Sequence, residues 1–116
     1  MPRPPAARGQ PPEPGLLILA SLAGGPKHGY GIVEHLRTAS GDVLSVGESA
    51  LYPALQRILL NGWAKAEWGA SENNRRARFY RLTRAGRKQL QAETRNWEQT
   101  SAIVARFFQL EPEDAQ

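Results

Sequence analysis

Residues 73–88 read N-N-R-R-A-R-F-Y-R-L-T-R-A-G-R-K, with seven Lys/Arg and no Asp/Glu. The first half has the form of a hairpin loop and its return strand. Arg78, Tyr80 and Leu82 share one side of an alternating pattern, and Asn73–Asn74 tolerate the left-handed backbone that a hairpin tip needs. Upstream, Trp63 to Trp68 alternates too, with Trp63, Lys65 and Glu67 on one side and Ala64, Ala66 and Trp68 on the other. Thr83 then stands as an N-cap for a helix starting at residue 84. An arginine-tipped loop carried on such a hairpin suits phosphate, because cations that displace counterions from a polyanion gain affinity from their release.

Working outward, the residues before the hairpin are helical. Leu16, Leu17, Ile18, Leu19 and Leu22 make a short helix that is apolar on nearly every side and therefore buried, ended by Gly24, Gly25 and Pro26. A second helix begins at His28–Gly29, with Tyr30, Val33 and Leu36 at helical spacing and Gly41–Asp42 closing it. Val43, Leu44 and Val46 have the makings of a short strand. A third helix runs from Gly47 to Asn61, with Leu51, Leu55, Ile58 and Leu59 on one face and Gly62 as its stop. Pro53 lies inside it, either ending the first turn or bending the helix. Residues 1–15 hold six of the nine prolines and predict an extended, disordered tail, either a linker or an arm whose Arg3 and Arg8 touch a partner.

Three helices, a hairpin and a long helix make a mainly α fold with a small β-hairpin. This is the plan of a winged helix-turn-helix over 16–83 followed by a C-terminal dimerisation helix over 84–110. On that plan the third helix enters the major groove of DNA, N-terminal end first. Ser49 lies at that end. Gln56 and Arg57 are apt readers of adenine and guanine edges, and Tyr52 offers either a hydroxyl to a phosphate or an aromatic to the edge of the core. Asn74, Arg75 and Arg76 fall in the wing, Ser71 to Arg76, with Arg78 further back on the strand. Lys27, His28 and Tyr30 open the second helix, whose free amides suit a phosphate; His28 serves there as a phosphate contact or as a capping and packing ring.

Along the last helix, Leu90, Thr94, Trp97, Ser101, Val104 and Phe108 form one stripe, widened by Ile103, Phe107 and Leu110. A helix at the end of so small a domain has little of its own body to lie on. The expectation is a two-fold dimer in which Leu90, Trp97, Val104, Phe107 and Phe108 meet the partner, with Leu16 and Leu19 of the first helix joining them.

Composition narrows the remaining classes. At 116 residues the chain is one domain, with 41% hydrophobic and 22% charged residues, as in a globular protein. There is no cysteine, so disulfides, thiolate catalysis and zinc–thiolate sites are excluded. His28 and His35 stand seven apart without a third ligand, no glycine-rich phosphate loop is present, and no serine has a His–Asp partner, so neither metal, cofactor nor enzyme is expected. The longest apolar run, Leu16 to Ala20, is too short for a bilayer, and the location expected is cytoplasmic.

H-G-Y-G-I at 28–32, L-Y-P-A-L at 51–55 followed by Arg57, Gly62, E-W-G at 67–69, R-R at 75–76 and F-Y-R-L-T-R-A-G at 79–86 together resemble the PadR family of bacterial transcriptional regulators, in its short form with a single C-terminal helix. The resemblance covers about four-fifths of the chain, from Leu16 to Leu110. It implies a homodimeric repressor on a roughly palindromic operator in double-stranded DNA, with Tyr52 and its neighbours facing the duplex. It also implies release by a small aromatic effector, for which Trp97 would be the stacking partner unless it simply fills the interface. Ser49–Ala50 departs from the family's usual Gly followed by Ser or Thr, and Leu59–Leu60 replace residues that are commonly charged. The alternative function, from another class, is an adaptor that offers the same basic surface to an acidic protein.

Overall fold

The computed structural model describes residues 12–114, with side chains through Gln109, so the expectations for the tail up to residue 11, with Arg3 and Arg8, and for Leu110 lie outside the described residues, whereas Pro14 and Gly15 of the expected tail are helical. The elements are α1 (Pro14–Leu22), β1 (Lys27–His28), α2 (Gly29–Ala39), α3 (Glu48–Leu60), β2 (Ala64–Ala70), β3 (Arg76–Leu82) and α4 (Arg84–Asp114). α1 starts two residues before the expected boundary, because Pro14 occupies the first helical turn, where a missing N–H costs nothing.

α1 is the centre of the molecule. It touches α2, α3, α4 and β3, which is why Leu17, Ile18, Leu19 and Leu22 are all buried. Leu19 therefore belongs to the core of its own chain, at 1% exposure, and the expectation that it meets a partner is corrected: no surface of it is left to share. Leu16 is half-buried.

The expected hairpin is a three-stranded antiparallel sheet in the order β1-β3-β2. Lys27 and His28 pair with Tyr80 and Phe79. The strand expected over Val43–Val46 does not form. Gly41 and Asp42 are both left-handed (φ 63° and 68°), and the Ser40 hydroxyl accepts the Leu44 amide at 2.8 Å, which folds the segment into a loop. Val46 is buried and Val43 is left in solvent, so the apolar pattern records burial rather than pairing.

α3 passes through Pro53 without ending. Pro53 stands on the solvent side, so the Ser49 carbonyl that loses its amide partner can be hydrated. The end of α3 is a Schellman motif. Trp63 N–H reaches the Ile58 carbonyl and Gly62 N–H the Leu59 carbonyl, both at 3.0 Å, with Gly62 at φ 74°. The start of α4 is joined to that motif. Thr83 N–H donates to the Trp63 carbonyl at 3.0 Å, the Thr83 hydroxyl donates to the Gly62 carbonyl at 2.7 Å, and the same oxygen accepts the Gly86 amide at 3.0 Å. The hairpin is thus held at its base by both neighbouring helices. α4 continues past the expected residue 110 to Asp114, and the molecule measures 64 × 28 × 28 Å.

Candidate nucleic-acid interface

The turn joining β2 to β3 is closed by Ser71 N–H to Arg75 O and Asn74 N–H to Ser71 O, both at 2.8 Å, with Asn74 left-handed at φ 62°. This is the wing. Asn74 serves as its turn former, and Asn73 is the asparagine that lines the hollow beside it.

That hollow is an open groove of about 580 Å³ between the wing and the helices, lined among others by Tyr30, Tyr52, Arg75, Arg76, Arg78 and Tyr80. Strand alternation puts Arg76 and Arg78 on the inner face with Tyr80, and the register Ala70↔Arg76 and Trp68↔Arg78 brings Trp68 to the same side. Both guanidiniums lie over aromatic rings: Arg76 stands 4.6 Å from the Trp68 centroid and Arg78 5.8 Å from that of Tyr80. On the opposite face Arg81 is committed to Glu67 at 2.7 Å. The cations free to meet a ligand are therefore those of the tip and the inner face.

α3 presents a polar stripe beside this groove. Leu51, Ala54, Leu55 and Ile58 are buried, while Ser49, Tyr52, Gln56 and Arg57 are exposed together, ending at Leu60. Of the stripe, Tyr52 also lines the groove; its hydroxyl lies against Gly29, where an added Cβ would come within 2.8 Å of it. Ser49, Gln56 and Arg57 stand outside the groove wall.

The three residues expected at the start of α2 divide. Tyr30 is 68% exposed and lines the groove, and its hydroxyl donates to the Glu34 carboxylate at 3.0 Å. That bond and the negative charge behind it raise its pKa above the usual phenol value. Lys27 is a correction. Its ammonium donates to the Ser21 carbonyl at 2.7 Å and the Gly25 carbonyl at 3.3 Å, so it closes the end of α1 and turns away from the groove. Burial lowers its pKa. His28 is the N-cap of α2: Nδ1 accepts the Gly31 amide at 3.0 Å, and the ring packs edge-on against Phe79 with centroids 5.3 Å apart. Of the two roles expected of it, the cap and packing ring is the one its contacts within the protomer fill, and its side chain also borders the groove.

Sequence reasoning overlooked Trp68 as a partner of the wing arginines. The signal was present, because the alternation that groups Trp68 with Ala66 and Arg78 with Tyr80 puts the indole beside the cations once the strands are paired.

A basic wing set against an exposed helix face on a three-helix body defines a winged helix-turn-helix protein. The model of the transcriptional regulator PadR-like family matches residues 18–92, and the chain belongs to that family. A transcriptional regulator from Clostridium thermocellum superposes with a TM-score of 0.72 at 30% identity, covering 80% of this chain and 90% of its own. Bacillus subtilis PadR in complex with operator DNA superposes with a TM-score of 0.60 at 24% identity, over 69% of this chain and 45% of its own, and shares the fold. An uncharacterized 37.1 kDa protein of a Streptomyces fradiae transposon is 37% identical over 89 residues, and this chain spans 24% of its length. Membership of this family makes the chain a regulator rather than an enzyme. Among the described residues no helix is long and apolar enough to cross a membrane.

Proposed function

We propose that the chain binds duplex DNA as a homodimeric repressor, with α3 in the major groove and the wing on the flanking backbone. The observation that carries this reading is the arginine-lined groove beside the polar stripe of α3: Arg75, Arg76 and Arg78 converge there without a carboxylate partner among the described residues. A related protein, Bacillus subtilis PadR, has been solved on its operator. The dimer reading is supported by α4, which leaves Ile103, Phe107 and Phe108 more than half exposed on its distal turns. Two such protomers would read half-sites about 34–36 Å apart.

Trp97 carries the reading of an aromatic effector. It is half-buried on α4, within the stripe proposed to meet the partner, where a planar ligand would stack on its indole. Fluorescence titration with a set of planar aromatics checks it; emission unchanged by all of them removes the effector.

A gel shift on the DNA flanking the coding region, at several salt concentrations, tests the main reading. Binding should weaken steeply with salt, and Arg75→Ala should reduce the slope of log affinity against log salt by about one unit per wing. A slope that Arg75→Ala leaves untouched would remove the wing from the interface. Binding to an acidic protein that unrelated duplex DNA fails to displace would favour the adaptor reading instead.

A further inference from the structure

We infer that Trp68 is a positioning residue for the wing, holding the Arg76 guanidinium in the attitude in which it meets a phosphate. The inference rests on the DNA-binding reading and deepens it. Trp68 lies on β2, an edge of the sheet, and is 60% exposed, too much for it to serve mainly as core. It stands diagonally across from Arg76 on the inner face, at the separation long side chains bridge between neighbouring strands. The guanidinium carbon sits 4.6 Å from the ring centroid. Arg76 lines the groove and Trp68 does not, so the indole backs the cation from behind.

The two faces of the hairpin hold their arginines in chemically different ways. Arg81, on the outer face, spends N–H donors on the Glu67 carboxylate at 2.7 Å, and the pair cancels in charge. Arg76 is held through the flat face of the guanidinium. Stacking uses the π surface and leaves the in-plane N–H donors, and the full positive charge, for a phosphate. A free arginine at this place would have to give up much rotamer freedom on binding; the stack removes part of that loss in advance. Arg78 over Tyr80 is a looser version of the same arrangement, on a ring that is itself buried.

The test uses the full chain with Trp68→Leu, Trp68→Phe, Arg76→Ala and the Trp68→Leu/Arg76→Ala double variant. Without DNA, the Arg76 side-chain protons should be shifted upfield by the indole ring current in the NMR spectrum, and Trp68→Leu should return them to ordinary positions. On a short duplex, Trp68→Leu should weaken binding about two- to fivefold per wing while leaving the salt slope unchanged, because the charge stays and only its placement is lost. Arg76→Ala should lower the slope, the double variant should bind no worse than Arg76→Ala alone, and Trp68→Phe should recover most of the loss. If Trp68→Leu loses its fold by circular dichroism, Trp68→Thr, which suits a strand and lacks a π face, takes its place. Wild-type binding by Trp68→Leu (or by Trp68→Thr in its place), or additive losses in the double variant, overturns the proposal and leaves the DNA reading standing. Failure of the wild-type chain to hold any duplex at low salt overturns both.

Discussion

Gly86 is the residue on which the body of the fold is most exacting. A Cβ there would lie 2.0 Å from the Trp63 carbonyl oxygen and 2.9 Å from a Leu82 methyl, and the first of these is backbone that the Schellman turn holds in place. Gly86→Ala should therefore destabilise the protein by at least about 1–3 kcal/mol, read as a fall in the urea midpoint; an unchanged midpoint would mean that α4 is free to slide outward. Ser21 makes the opposite case. It is 1% exposed in the last turn of α1, and its hydroxyl has no hydrogen-bond partner among the described residues. Ser21→Ala should stabilise the fold by about 1 kcal/mol, since it removes an unpaired buried polar group and improves helix propensity. A loss of stability would show that the hydroxyl fills space the core needs.

At the scale of elements, α2 depends on a histidine where Ser, Thr, Asp or Asn is usual. Because Nδ1 accepts the Gly31 amide and the ring rests on Phe79, His28 ties the start of α2 to the strand that carries the wing. His28→Ala should cost about 1–2 kcal/mol from cap and aromatic contact together, visible in thermal melts, with the salt slope of DNA binding unchanged. His28→Asn should recover the cap portion. A reduced salt slope in His28→Ala would return this residue to the phosphate-binding set. The wing is built on the same logic of short-range satisfaction: Asn74 takes the left-handed position and the Ser71–Arg75 bond closes the turn, so its arginines extend from a defined frame.

For the whole molecule, the controlling fact is that α4 outruns its support. At about 1.5 Å per residue its 31 residues extend about 46 Å, longer than the 28 Å breadth of the body. Leu90 packs on the core, and the stripe continues through half-buried Trp97, Ser101 and Val104 to exposed Phe108. Replacing Phe107 and Phe108 together by Glu should weaken self-association by at least about a hundredfold, since each buried Phe side chain contributes about 1.5–3 kcal/mol. Light scattering across a dilution series measures this. A wild-type chain that scatters as one protomer at every concentration would eliminate the dimer.

Features governed by near neighbours were open to reading in the sequence. The helices follow from 3.6-residue periodicity, the hairpin from two-residue alternation, and the Thr83 cap and Gly62 stop from groups a few residues away, so each carries its cause within one segment. The basic wing was likewise legible as a run of like charge. Tertiary structure alone decided which side chains were already spent. Lys27 looked like a phosphate ligand until the fold of the chain after α1 set the Ser21 and Gly25 carbonyls against its ammonium, and Leu19 looked available until three helices and a strand enclosed its helix. Val43–Val46 and Lys27–His28 were also separated by long-range pairing, because a strand exists only where a partner edge accepts its hydrogen bonds, and β3 offers that edge to Lys27–His28. The cation held on Trp68 belongs with these: it arises from the register of two strands, a relation that no single stretch of chain contains.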